Sequence, residues 1–168
     1  TTAEGINTLM FMADLGNLAV IKDALLSTSE VDELVMSQST HGITALMFAA
    51  RKGHAEIASA LLNAAADKDA LAQLRNVHGF TALMVAANQG YTKTVTAILN
   101  AVSDKRALAQ QRDFQGRTAL KIALDNGHTY AALAILNLSA DPDELMQLSR
   151  IQLTALLILA AHQGDVAV

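Results

Sequence analysis

The chain has 168 residues, 52% of them hydrophobic and 17% charged, with a net charge of −4, one proline and no cysteine. That length and apolar share fit one folded domain with its own core, and without cysteine there is no disulfide framework, thiolate metal site or thiol nucleophile. The acidic balance provides no basic stripe for a phosphate backbone, which argues against nucleic acid as a partner, and no apolar run approaches the roughly 20 residues of a membrane-spanning helix.

A period of 37 residues organises the chain. The opening, Thr1-Thr2-Ala3-Glu4, lacks a methionine and a basic n-region, as expected of a fragment or a processed form that is not a secretory precursor. Gly5-Ile6-Asn7-Thr8-Leu9-Met10 then begins a degenerate first unit, with Asn7 where later units carry threonine, and residues 30–38 end it with a weak helical signal. The second unit opens on His41-Gly42-Ile43-Thr44-Ala45-Leu46-Met47. Its Leu46, Met47, Ala49 and Ala50 predict a short helix over residues 44–51, stopped by Gly53. Ile57, Ala58, Leu61 and Leu62 fall at helical spacing after that glycine and predict a second, antiparallel helix of about ten residues. Residues 67–75 follow, where an acidic residue opens an alanine- and leucine-rich stretch and predicts one or two extra helical turns.

The third unit repeats this plan from His78-Gly79-Phe80-Thr81-Ala82-Leu83-Met84 to residues 104–112. The fourth runs from Gln115-Gly116-Arg117-Thr118-Ala119-Leu120-Lys121 to residues 141–148, where Pro142 suits a first helical position. Gly16, Gly53, Gly90, Gly127 and Gly164 form one column of this register, Leu25, Leu62, Leu99 and Leu136 a second, and Leu34, Leu71, Leu108 and Leu145 a third. The units therefore span about 3–39, 40–76, 77–113 and 114–150, with a partial fifth over 151–168 whose Thr154 sits one residue early.

The pattern Gly-x-Thr-Ala-Leu-x-x-Ala-Ala-x-x-Gly-His, complete from Gly42 to His54 and repeated from Gly79 with Tyr91 in place of histidine, resembles the ankyrin repeat. The resemblance covers nearly the whole chain and implies an all-α solenoid of helix pairs with β-hairpin-type loops, such as Asn76-Val77-His78-Gly79-Phe80-Thr81 and Asp113-Phe114-Gln115-Gly116-Arg117-Thr118. Two departures stand out. An ankyrin repeat has 33 residues and usually carries Thr-Pro-Leu-His, whereas these units have 37 and carry Thr-Ala-Leu. The extra residues lie in the segments typified by residues 67–75, which predicts lengthened, partly helical connections between repeats.

Catalytic chemistry finds little footing. The repeat register accounts for the histidines: His41 and His78 share a tip position, His54 and His128 occupy the family's Gly-His position, where the resemblance implies a structural hydrogen bond, and His162 falls in a variable column. Asp67 with Asp69, and Asp141 with Asp143, open the extra helices, where negative charge is favourable in any case. No nucleophile elbow, phosphate-cradling glycine loop, His-Glu-x-x-His or EF-hand pattern occurs. The methionines of the first helices, and Phe11 and Phe48 in one column, read as core. No cofactor and no metal are expected.

Columns that change from unit to unit are where a stacked array writes specificity. One set is the loop tip: Thr40, His41 and Ile43; Val77, His78 and Phe80; Phe114, Gln115 and Arg117. Another precedes the glycine: Arg51 and Lys52; Asn88 and Gln89; Asp125 and Asn126. By the resemblance, these line the concave, hairpin-edged surface that binds a partner protein. Phe80, Phe114 and Arg117 are of the types enriched at interface hot spots, though the phenylalanines could equally pack between adjacent tips. The function expected is non-catalytic protein recognition, in the cytoplasm or, for an effector of an intracellular bacterium, in the host cytosol. Two alternatives stand beside it: a targeting module of a larger enzyme, and a structural segment that self-associates through an uncapped C-terminal end. The apolar surface of residues 156–161 is expected to be covered by a continuation of the native protein past Val168 or else by another chain.

Overall fold

The computed structural model describes residues 5–139 and 150–164. Its helices are α1 (Thr8–Leu15), α2 (Leu18–Ser27), α3 (Val31–Met36), α4 (Ala45–Lys52), α5 (Ala55–Ala64), α6 (Lys68–Gln73), α7 (Ala82–Gln89), α8 (Thr92–Ala101), α9 (Lys105–Ala109), α10 (Ala119–Asp125), α11 (Thr129–Ser139) and α12 (Arg150–Gly164). They stack in rows. One holds the first helix of each unit, α1, α4, α7 and α10, a second holds α2, α5, α8 and α11, and the short α3, α6 and α9 line the connections.

Each first helix starts the same way. The side chains of Asn7, Thr44, Thr81 and Thr118 accept the N–H of the residue three positions on, at 2.8, 3.2, 3.3 and 3.3 Å. A hydroxyl or amide oxygen there satisfies a helix N–H that has no partner within the helix, which a Thr-Ala-Leu start does without the proline. Gly16, Gly53 and Gly90 end α1, α4 and α7 in the left-handed region, their N–H groups bonding back to carbonyls of the last turn. The connection then reverses into the second helix.

The core is a set of columns. Leu9, Leu46, Leu83 and Leu120 are all buried, as are Ala45, Ala82 and Ala119, and Ala49, Ala86 and Ala123, whose small side chains let neighbouring first helices approach closely. Met10, Met47 and Met84 fill one further column, which the fourth unit changes to the exposed Lys121, bonded to Asp125 at 2.6 Å. Thr94 stands buried where other units place Val20, Ile57 and Ala131, and its hydroxyl is the one buried side-chain polar atom without a partner among the described residues.

The connecting helices α3, α6 and α9 occupy the segments expected to be partly helical. Asp67 and Asp104 cap α6 and α9 through the N–H groups of Ala70 and Ala107, whereas Glu30 makes no such bond to α3. Asp32 and Asp69 tie each connection to the next unit, accepting from the N–H of Ala66 and of Ser103, both at 2.9 Å. The fourth copy of this segment, residues 141–148, lies outside the described residues.

One expectation fails. Phe11 is 54% exposed rather than core, while its column-mate Phe48 is buried; among the described residues no helix precedes α1 to cover that column, as α1 and its neighbours cover it in α4. The irregular stretch around Thr154 is helical: α12 begins at Arg150, Thr154 bonds the Arg150 carbonyl at 2.8 Å inside the helix, and α12 rests on α11.

Candidate partner-binding surface

The loop tips form one edge of the stack, and each is locked by its first side chain. Ser39 Oγ accepts from the N–H groups of His41 and Ile43, Asn76 Oδ1 from those of His78 and Phe80, and Asp113 Oδ1 from those of Gln115 and Arg117. A second bond closes each turn, from the N–H of Ser39, Asn76 and Asp113 to the carbonyls of Ile43, Phe80 and Arg117. Neighbouring tips are joined by single backbone bonds, Val77 N–H to His41 at 3.0 Å and Phe114 N–H to His78 at 3.4 Å. The tips are thus chained turns, and no strand occurs among the described residues.

Longer side chains reinforce the chain of tips. Gln38 donates to the Arg75 carbonyl, and Arg75 reaches on to the side chain of Gln111 and the carbonyl of Arg112. Asp113 is buried. Burial alone would raise its carboxyl, but the N–H and guanidinium of Arg117 and the N–H of Gln115 outweigh that and hold it below the usual carboxylate range. Arg117 meets Asp113 Oδ2 through Nε and Nη2 at 2.9 and 2.8 Å, and its guanidinium lies 5.8 Å from the Phe80 ring centre.

The candidate residues therefore divide. Ile43 and Phe80 are half-buried against the core, and Arg117 is engaged with Asp113. Arg51 pairs with Asp14 at 2.7 Å and lies over the Phe48 ring, with Lys52 3.8 Å from the same carboxylate. Asn88 accepts from Asn126, and its carbonyl lies 3.1 Å from His128 Nε2. Asp125 is paired with Lys121. Arg51, Lys52 and Asp125 stay exposed within these pairs, and the tip row adds the exposed Thr40, His41, His78 and Gln115, with Gln89 ahead of the glycine. Val77 is 50% and Phe114 74% exposed, a short apolar ridge across the third and fourth units.

Three features escaped the pattern of the sequence. Asp14 completes the Arg51 site, Gln111 receives Arg75, and the residue after each column glycine covers the glycine of the preceding unit: His54 over Gly16, Tyr91 over Gly53 and His128 over Gly90. The tip anchors were open to recognition, since Ser39, Asn76 and Asp113 each stand four residues before a variable position and all carry a short acceptor suited to turns. Among the described residues, no three histidine, aspartate or glutamate side chains gather as a metal site, and no helix is long and apolar enough to cross a membrane.

Stacked helix pairs with αL-terminated first helices and chained tips recur through the chain, and a family model for ankyrin repeats in three copies matches residues 9–109 and 69–146. The chain belongs to the ankyrin repeat family. Ankyrin repeats are generally protein–protein interaction modules and typically non-enzymatic. No curated protein matches this chain. Its ankyrin repeats keep the family's helix pair and tip while inserting α3, α6 and α9 between repeats.

Proposed function

We propose that this ankyrin array is a non-catalytic recognition module whose partner protein lies along the tip row. The observation that carries this is the Val77–Phe114 ridge: apolar surface held outward on tips whose backbones are fixed by Asn76 and Asp113. A fixed backbone spares the ordering entropy that a mobile loop would lose on association. The exposed His41, His78 and Gln115 supply polar contacts around the ridge. A photo-crosslinking residue in place of the exposed Gln115, compared with one at position 93 on α8, tests it. A partner captured at position 115 and lost on Val77→Ser with Phe114→Ser supports the tip row, and capture that ignores those changes places the site elsewhere.

A second reading, self-association through the C-terminal end, is supported by Leu157 and Ile158, which are 69% and 56% exposed on α12. Light scattering over a concentration series tests it against Leu157→Lys. A monomer at every concentration would remove this reading.

A further inference from the structure

The second-helix row opens between the first and second units. α2 touches α5 sparsely, whereas α5 packs closely along α8 and α8 along α11. Only Ile21 of α2 is fully buried, against four residues each of α5 and α8. The column that carries Leu61, Ile98 and Ile135 carries the smaller Ala24, and Leu25 is half-buried where Leu62 and Leu99 are fully buried. A groove of about 540 Å³ results, lined by Lys22, Leu25 and Leu26 of α2, Val31 of α3, and Ala60, Asn63 and Ala64 of α5.

The other repeats show what this place normally holds. One and two units on, the positions of Leu26 and Val31 are Asn63 with Lys68 and Asn100 with Lys105, and each lysine donates to its asparagine, at 2.9 and 3.3 Å. The first unit has replaced that polar bridge with an apolar pair and leaves Leu26 86% exposed. Among the described residues Lys22, on the rim, has no hydrogen-bond or ion-pair partner; the later units carry Ser59 and Thr96 there.

We propose that this groove is a second docking site, separate from the tip row, for an amphipathic helix of a partner protein that carries apolar anchors and a carboxylate. The floor favours a helix: Ala60 and Ala64 lie one turn apart, and facing them Lys22, Leu25 and Leu26 present the same three- and four-residue spacing, so the walls are two ridges between which the side chains of a third helix fit. Lys22 selects the charge, since a carboxylate beside the anchors gives it the partner it lacks among the described residues.

The test uses the whole chain and a fluorescent stapled helix of about four turns with leucines at i, i+4 and i+7 and glutamates flanking them, beside a twin carrying lysines instead. The glutamate probe should bind with a Kd of roughly 1–100 μM and at least about tenfold more tightly than the lysine twin. Leu26→Asn with Val31→Lys restores the residues that the second and third units carry, so the fold is kept, as thermal unfolding will verify, and affinity should fall about tenfold or more. Lys22→Glu should reverse the preference between the probes. Equal binding by parent and double variant, a preference that ignores Lys22, no binding near 1 mM, or capture of a fluorescent fatty acid in place of either helix would each overturn the proposal.

Discussion

The ring of Tyr91 lies over Gly53, with its nearest carbon only 2.8 Å from where a Cβ on that glycine would stand. Gly16 and Gly90 meet His54 and His128 in the same way, whereas a Cβ on Gly127 meets none of the described residues within 4 Å, although its φ of 74° is close to the 78° of Gly53. A glycine in this array therefore answers to two demands, a left-handed backbone and room for the next repeat's ring, and the pair separates them. Gly127→Ala should cost about 1 kcal/mol from the backbone alone, and Gly53→Ala about 2–3 kcal/mol, measured by urea unfolding. Equal losses would show that the ring gives way freely.

Thr81 and Thr94 are both buried threonines with opposite circumstances. Thr81 accepts the Met84 N–H and starts α7, so Thr81→Ala should destabilise by about 1–2 kcal/mol. Thr94 has no partner for its hydroxyl among the described residues, and Thr94→Val keeps its shape, so that variant should be more stable by about 1 kcal/mol. Denaturant midpoints measured side by side would check the contrast in sign.

Asp113 links the fourth tip to pH. Its pKa in the fold is lowered, so its contribution to stability is complete above the unfolded value, about 3.9, and disappears as pH falls through the lower folded value. Asp113→Asn retains an acceptor for the tip N–H groups, as Asn76 does one unit earlier, but gives up the charge facing Arg117. At pH 7 the variant should be less stable by about 1 kcal/mol, and the two proteins should converge in acid below the carboxylate range. A gap that stays constant down to pH 2 would contradict the assignment.

Phe80 and Phe114, similar in sequence context, should behave differently. Phe80 packs on the core beneath Arg117, and Phe80→Ala should lose about 2 kcal/mol of stability. Phe114 touches Gly79 and is otherwise outward, so Phe114→Ser should lose no more than about 1 kcal/mol, while affecting partner capture more than Phe80→Ala does. Thermal unfolding of both variants decides the first half, and crosslinking yield the second.

Sequence periodicity alone determined the repeat, the helix pair, the glycine stops and the extra connecting helices, because each depends on residues within one turn or on a column that recurs every 37 positions. Phe11 shows where that logic ends: the column is right, but burial depends on whether another helix stands beside it. The same holds for the variable positions. Arg51, Phe80 and Arg117 are engaged by Asp14, the core and Asp113, and the groove beside Leu26 lies where α2 packs only sparsely on α5. A local pattern fixes the shape of one unit; the space left between units depends on side chains 37 residues apart, and only their packing reveals it.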